Sequence, residues 1–288
     1  MLGDVTVDRV LFSGDTATGV VTADGTEVRA REVILSAGAY GSASILLRSG
    51  VGPAQDLTAL GIDVVSPLPV GRRLQDHAFF HTIYAVAPEY VQQGTYIGAF
   101  LWTTSPEAVG DELDLQIVAA GIPDPSLSPT GGAFALSTSV VQPESHGTIR
   151  LASTDPNEAP LIDENLLGTE RDRRRMLAGA KLSREFATHP SLTPYLQGEL
   201  FPGIAELDDE ALLRAIESGL ATYGHPTSTA PMGGPDDPWA VVDSRGAVNG
   251  VHGLRVVDAS ILPRIPSGVT NLTIIMIAER IARLVYGG

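Results

Sequence analysis

Residues 32–39 read EVILSAGA, and this stretch decides the fold that we predict for the chain. The nearly continuous apolar run from Val33 to Leu35 is typical of a strand covered on both faces in a parallel sheet. Gly38 follows at once, and residues 42–48 have the pattern of a short helix that Gly50 ends. A strand, a glycine turn and a helix in this order are similar to phosphate-binding turns, because a helix N-terminus attracts anions. The full Gly-x-Gly-x-x-Gly fingerprint is absent, so most of a dinucleotide cradle would lie outside this chain.

The segments on either side of this stretch predict further elements of the same domain. Residues 5–12 have the pattern of a strand, and the Asp-Gly pair at 24–25 is a hairpin signal between two more strands. Near the C-terminus, residues 253–258 read as a strand, and a helix runs from about Thr270 to Tyr286. The first half of that helix is apolar all round, so we expect it to be buried.

The middle of the chain has a different pattern, in which strand-like stretches alternate with Pro- and Gly-containing loops. We predict a mostly antiparallel sheet there, followed by helices over residues 169–188 and 208–219. The fold class is therefore α/β (α+β) with two domains. A partial Rossmann-like domain comprises residues 1–76 and 223–288, and a second domain comprises residues 77–222.

Composition and charge exclude several classes of function. The chain has 288 residues, 43% of them hydrophobic, which is an ordinary globular composition. A net charge of −15 argues against binding to nucleic acids and to anionic membranes. The absence of cysteine excludes disulfides, thiolate metal sites and a cysteine nucleophile. We see neither a spanning apolar segment nor a signal peptide, and we expect a cytoplasmic protein without membrane partners.

Two common catalytic arrangements are not indicated by the sequence. His77 and His81 have the spacing of a zinc-binding helix, but they lie at a loop-to-strand junction where residues four apart do not pair. We therefore predict no metal site. The Gly-x-Ser-x-Gly motif of a hydrolase nucleophile is also missing.

Two residues have positions that suit chemistry as well as structure. His225 lies in a loop rich in Gly, Pro and Thr, where it is either a structural histidine or a general base. Asp258 ends a strand that we expect to be buried, and ligands gather at the carboxyl ends of strands in open α/β sheets. It is equally well explained as a turn or cap aspartate.

Several ordered motifs resemble the C-terminal part of the GMC (glucose–methanol–choline) flavin oxidoreductases. The residues that carry the resemblance are EVILSAGA at 32–39, GAYGSASILLRSGVG at 38–52, VGRRLQDH at 70–77, GTIRL at 147–151, and GLRVVDAS at 253–260, with the last helix to Arg280. Position 43 departs from the family pattern, because Ala stands where Pro or Ser is usual. The resemblance runs over almost the whole chain.

The resemblance implies an enzyme with FAD as cofactor and a small alcohol-type substrate, acting as an oxidase or a dehydrogenase. His225 matches the family's catalytic base, which would take the hydroxyl proton while hydride passes to flavin N5. The domain of residues 1–76 and 223–288 would be part of the FAD-binding domain, and residues 77–222 the substrate-binding domain. The residues expected to line FAD are Ala37, Gly38, Asp258, Ala259, Gly268, Thr270 and Asn271. Phe79, Phe80, Tyr96 and Trp102 are our candidates for an apolar substrate wall.

The sequence departs from the family in two ways. The usual second catalytic group, a His or an Asn, is replaced by Val269, which can neither take a proton nor donate a hydrogen bond. Asn271 is a candidate to reach the flavin or the substrate in its place. The family's Gly-x-Gly-x-x-Gly portion is also missing, and we expect a separate N-terminal FAD-binding polypeptide to supply it in a heteromeric, split enzyme. The alternatives are a family member without redox activity, such as a lyase, and a non-catalytic binding module.

Overall fold

A computed structural model describes residues 1–91, 97–122, 125–203 and 208–287. The strands within these ranges are β1 (Val7–Ser13), β2 (Thr16–Thr22), β3 (Glu27–Arg29), β4 (Val33–Leu35), β5 (Ala78–Val86), β6 (Ile97–Thr103), β7 (Leu115–Ile122), β8 (Ala133–Val140), β9 (Thr148–Arg150), β10 (Leu161–Asp163), β11 (Leu196–Phe201), β12 (Ala221–Thr222) and β13 (Leu254–Val256). The α-helices are α1 (Gly38–Arg48), α2 (Ala54–Ala59), α3 (Glu170–Thr188), α4 (Asp209–Gly219) and α5 (Thr270–Tyr286). This mixture of helices and strands confirms the predicted fold class.

The chain divides into two compact units. Unit 1 comprises Met1–Asp76, His146–Asn165 and His225–Gly288, and unit 2 comprises His77–Ser145 and Leu166–Gly224. The segment 146–165, which we predicted in the second domain, therefore belongs to unit 1. The reason is backbone pairing, because Gly147 exchanges hydrogen bonds with Leu74 and Ile149 donates to Gly71.

Unit 1 contains the predicted parallel pair of strands. β4 pairs with β13 in parallel, with Val33 opposite Leu254 and Leu35 opposite Val256. The expectation that β4 is covered on both faces is wrong for Ile34, which is 47% exposed while its two neighbours are buried. One face of this two-stranded sheet packs into the core of unit 1, and no element of the described chain covers Ile34. The predicted hairpin is confirmed, since β2 pairs with β3 and with β1 in antiparallel fashion.

The last helix has the predicted bounds, but the prediction of its burial is wrong. In α5 only Ile281 is buried, whereas Leu272 is 71%, Ile275 52% and Met276 61% exposed. The apolar residues surround the first half of the helix, and unit 1 packs against only one side of them. An apolar face is left uncovered by the described chain, and such a face marks an interaction surface.

Unit 2 is built on the predicted antiparallel sheet. Its order is β11-β5-β8-β7-β6, and β12 also pairs with β5. Side chains alternate across the sheet, so β5, β7 and β8 each turn one set of residues toward α3. Gly179 of α3 allows this approach, because a Cβ atom there would lie 2.4 Å from a methyl group of Thr138. Phe80 is 0% exposed and packs in the resulting core with Met176. The prediction that Phe80 forms part of a substrate wall is therefore wrong.

A buried ion network joins α3 to the sheet of unit 2. The Arg175 side chain is 0% exposed, and its guanidinium lies 2.9 Å from Asp114 and 3.2 Å from Asp172, which are equally buried. Glu112 lies 3.0 Å away at the rim, and the Gln142 carbonyl accepts a further hydrogen bond. Asp172 in turn accepts from the backbone of residues 144 and 145. Arg175 is thus ion-paired with both buried carboxylates, which is the condition under which buried charge is tolerated, although its Nε makes no hydrogen bond of good geometry.

We predict that Arg175→Met lowers the free energy of unfolding by about 3–5 kcal/mol, because it leaves two buried carboxylates without their cation. Urea unfolding followed by circular dichroism measures this loss. Arg174→Met is the matched control, since the neighbouring Arg174 pairs with Glu107 at the surface and is 49% exposed. The control should leave the unfolding midpoint nearly unchanged. Equal losses in the two variants would contradict the role of the buried network.

Candidate active site

Asp258 connects the start of α1 to the end of β13. Its carboxylate accepts the Gly38 N–H at 3.0 Å and the Ser42 hydroxyl, and it also accepts the N–H and hydroxyl of Ser260. Because both oxygens are occupied, the Asp258 side chain acts as a structural cap within this chain. These bonds also begin α1 at Gly38, earlier than the residues 42–48 that we predicted. Gly38 has a φ of +79°, which glycine adopts without strain.

The loop after His225 is tied to the same turn. Thr227 and Gln75 exchange backbone hydrogen bonds of 2.8 and 3.1 Å. Ser228 donates its N–H to the Ala259 carbonyl, and the Thr229 hydroxyl donates to the Ala39 carbonyl at 2.6 Å. Unit 1 therefore brings together three segments that we expected in one site, namely the start of α1, Asp258 with Ala259, and the His225 loop.

His225 is half-buried at the end of this loop. Its backbone N–H donates to Asp76 Oδ1 at 2.9 Å, and Asp76 is itself 3% exposed. Burial lowers the pKa of the His225 imidazole below its ordinary value, and the Asp76 carboxylate partly opposes that shift. The imidazole is therefore neutral at neutral pH, which is the form that accepts a proton.

The start of α5 is exposed and has no side-chain cap. Val269 occupies the N-cap position, is 47% exposed, and accepts no hydrogen bond through its side chain. Thr270 and Asn271 form the first turn, where unpaired N–H groups give partial positive charge. The loop before the helix is anchored, because the Ile265 N–H donates to Gln75 Oε1 at 3.2 Å.

Two glycines leave free space that a cofactor could occupy. No heavy atom beyond their own chain neighbours lies within 4 Å of a Cβ built on Gly38 or on Gly268. Both glycines lie in unit 1. Gly38 is beside the Asp258 cap, and Gly268 precedes the uncapped start of α5. Open backbone and a partly positive helix end suit a flat group that bears negative charge, so the residues present fit the flavin of FAD.

One face of the unit 2 sheet carries aromatic and polar side chains. The Phe79 ring stacks on the Tyr223 ring with centroids 4.1 Å apart, and it meets the His81 ring edge-on at 4.7 Å. His81 Nδ1 lies 2.8 Å from the Ser137 hydroxyl. Trp102 extends the same face at the edge strand and is 37% exposed. Tyr96, our remaining candidate for the substrate wall, lies outside the described residues.

Asp76 and Gln75 are the site residues that we missed in the sequence. Both belong to the VGRRLQDH segment, which we used only as a family motif. A charged residue and an amide between Leu74 and His77 do not look buried, yet Gln75 and Asp76 are each 3% exposed. The available signal is that both residues lie between the apolar Leu74 and the predicted loop-to-strand junction that begins at His77.

Residues 1–91, 97–122, 125–203 and 208–287 contain no group of three or more His, Asp or Glu side chains arranged to hold a metal ion. No helix in that part of the chain is long and apolar enough to cross a membrane.

Comparisons with known proteins assign the chain to a family. Two family models, each described as GMC oxidoreductase, match residues 1–79 and 143–278. The chain is 35% identical to an oxygen-dependent choline dehydrogenase of Stenotrophomonas maltophilia (strain R551-3), over 97% of this chain and 56% of the relative. It is 38% identical to the 5-(hydroxymethyl)furfural oxidase of Methylovorus sp. (strain MP688), over 95% of this chain and 55% of the relative. The chain thus spans just over half the length of these relatives.

Solved structures agree with this assignment. Pyridoxine 4-oxidase from Mesorbium loti superposes with a TM-score of 0.88 at 28% identity, over 99% of this chain and 57% of the other. A formate oxidase from Aspergillus oryzae RIB40, studied for its FAD modification, superposes with a TM-score of 0.87 at 22% identity, over 98% and 60%. The second likeness shows the shared fold alone. The described fold, the ordered motifs and the matches to both family models agree, and the chain belongs to the GMC oxidoreductase family.

Proposed function

We propose that this chain carries the catalytic base and the substrate-facing sheet of an FAD-dependent oxidoreductase that oxidises a small alcohol. The observation that carries the proposal is the position of His225. Its loop is hydrogen-bonded to the start of α1 and to the Ala259 turn, which are the segments expected to lie against the flavin. The relatives named above include a choline dehydrogenase and a furfural oxidase, which supports an alcohol as substrate.

His225 would accept the hydroxyl proton of the alcohol at its unprotonated ring nitrogen. Burial keeps the pKa of this imidazole below its ordinary value, so the base is ready at neutral pH. When bound, FAD supplies the acceptor for the hydride that leaves the alcohol carbon, and the C–O bond becomes a carbonyl. The proton and the hydride together account for the two-electron oxidation.

The FAD-contacting residues that we propose in unit 1 have distinct tasks. Ala37, Gly38 and Ala259 offer backbone around the Asp258 cap, where side chains leave space for a ring. Gly268, Thr270 and Asn271 form the start of α5, whose N–H groups would favour negative charge on a reduced flavin. Asn271 is exposed and can donate a hydrogen bond from its amide.

The aromatic face of the unit 2 sheet supports the proposal that this unit holds the substrate. Phe79, Tyr223 and Trp102 provide partly exposed rings, and His81 adds a polar group beside them. Tyr223 stands two residues before His225 in the chain. A small organic alcohol would bury its carbon skeleton against such rings.

The uncovered face of α5 supports a dinucleotide-binding partner. Leu272, Ile275 and Met276 are all more than half exposed, and Ile34 of the parallel sheet is nearly so. We propose that an N-terminal FAD-binding polypeptide with a Gly-x-Gly-x-x-Gly turn packs on these residues, extends the sheet and completes the flavin site.

We predict that His225→Gln lowers kcat of the flavin-loaded enzyme by at least about a hundredfold, because the positioned base is lost. Steady-state turnover of a primary alcohol, with flavin content measured from the visible spectrum, checks this. The matched control is His252→Gln, since the His252 side chain is 77% exposed and its nearest ion-pair distance, to Asp15, is 3.8 Å. Full flavin content with near-wild-type turnover in His225→Gln would contradict the assigned base.

We predict that Leu272→Glu combined with Met276→Glu prevents assembly of the flavin-loaded complex, because two charges would be placed in an apolar interface. Co-expression with the Gly-x-Gly-x-x-Gly polypeptide, followed by size-exclusion chromatography with a flavin absorbance trace, measures this. Arg280→Glu places the same Glu side chain at an exposed position of this helix that is already charged, and it should leave assembly intact. Purified wild-type chain that binds FAD without a second polypeptide would contradict the proposal that a partner polypeptide completes the flavin site.

The second candidate function is a non-redox reaction, such as that of a lyase within the same family. The observation that favours this function is Val269. The N-cap of α5 presents an apolar side chain where the family resemblance implies a hydrogen-bonding group.

We predict that Val269→Asn raises kcat for alcohol oxidation by about tenfold, the value of one hydrogen bond to developing charge. Val269→Thr is the isosteric control for packing. If wild type and Val269→Asn both bind flavin and neither reduces it with any alcohol, the second candidate replaces the first.

A further inference from the structure

We propose that Asp76 is a positioning residue, which fixes the His225 loop through its backbone and places a negative charge beside the imidazole. The proposal rests on the proposed function for its catalytic meaning, because it concerns the base of that reaction. Its geometry, however, is a property of unit 1 alone and can be tested without turnover.

The backbone around Asp76 is held from both sides. Leu74 exchanges hydrogen bonds of 3.0 and 2.7 Å with Gly147, and Gln75 exchanges bonds of 3.1 and 2.8 Å with Thr227. The pairing of Gln75 with Thr227 is antiparallel, so Asp76 continues toward the residues that precede Thr227. A segment bonded on both edges cannot shift without breaking several buried hydrogen bonds.

The Asp76 side chain uses this fixed position to hold His225. Its Oδ1 accepts the His225 N–H at 2.9 Å, and the carboxylate is 3% exposed. Gly224, with a φ of +80°, turns the chain just before this bond, and Pro226 restricts the backbone of His225, which precedes it. The direction in which the imidazole leaves the backbone is therefore set by a buried carboxylate.

The same carboxylate acts on the charge of the imidazole. Burial lowers the pKa of His225, and Asp76 is the charged group that raises it again. Tyr40 and Glu164 also face Asp76, and the Asp76 charge raises the pKa of each. Tyr40 donates a hydrogen bond to Glu164, and Asp163 adds negative charge near Glu164. Asp76 thus opposes negative charge on Tyr40 and Glu164 and stabilises positive charge formed at His225.

Proton abstraction makes use of this arrangement. The imidazole becomes an imidazolium when it takes the hydroxyl proton, and a nearby carboxylate stabilises that form more than the neutral one. Without Asp76, no carboxylate charge would offset the effect of burial on the pKa of His225, and the base would be weaker when the proton is transferred.

The test is the titration of the His225 imidazole in Asp76→Asn, whose amide oxygen can still accept the His225 N–H. We predict that the imidazole pKa falls by about one unit relative to wild type, because the stabilising charge is removed. Histidine-selective NMR on the full chain measures it, with the resonance assigned through His225→Gln. The pH profile of kcat/KM in the flavin-loaded enzyme should move its acidic limb to lower pH by the same amount, and kcat should fall roughly threefold.

Controls separate the possible outcomes. Asp236→Asn removes an exposed carboxylate elsewhere in unit 1 and should leave the imidazole pKa unchanged. Should Asp76→Asn fail to fold, Asp76→Ser decides the same question with a smaller uncharged side chain. An imidazole pKa unchanged in the uncharged variant overturns the proposal. A shifted pKa in a flavin-loaded enzyme that oxidises no alcohol would leave this proposal standing and refute the proposed function instead.

Discussion

The structure of unit 1 depends on one four-residue stretch, residues 227–230, which is hydrogen-bonded on both edges. On one side Thr227 pairs with Gln75, and Thr229 accepts the Gly71 N–H at 2.7 Å. On the other side residues 228 and 230 donate to the carbonyls of 259 and 260 at 3.2 and 2.9 Å. These bonds join parts of the chain that are far apart in sequence, and the side chains of Thr227, Ser228 and Thr229 are completely buried. The position of His225 follows from this stretch, because the loop has little freedom once Thr227 is fixed.

Two buried aspartates near this stretch, Asp258 and Asp76, have different roles. Both carboxylate oxygens of Asp258 accept hydrogen bonds from Gly38, Ser42 and Ser260. These bonds fix the backbone of the turn. Asp76 also receives a backbone N–H, but its charge acts on His225. The two residues show how a carboxylate can be structural in one turn and electrostatically active in the next, depending on which groups face it.

Much of the fold could be predicted from the sequence because it is encoded locally. The apolar run at 33–35 predicted a parallel strand, and β4 pairs in parallel with β13. The alternating middle segments predicted an antiparallel sheet, which unit 2 contains. The errors concern contacts between distant residues. Apolar composition could not tell which side of α5 is covered, and nothing local placed residues 146–165 in unit 1.

The candidate site was predictable only in part, for the same reason. His225 and the residues near Asp258 were named from a loop, a strand end and a family resemblance, and the structure brings their backbones together. The role of Asp258 as a cap and the contact of Asp76 with His225 require knowledge of which segments pair. Such pairing is set by hydrogen bonds across roughly 150 residues of chain, which no periodicity records.

The most direct measurement of the central claim is anaerobic mixing of the assembled, FAD-loaded protein with a primary alcohol in a stopped-flow spectrophotometer. We predict that the absorbance of oxidised flavin disappears in a single turnover, and that the loss slows as pH falls and His225 becomes protonated. A fully loaded flavin that stays oxidised with every alcohol, at pH values where the imidazole is neutral, would show that His225 and FAD do not form an alcohol-oxidising site.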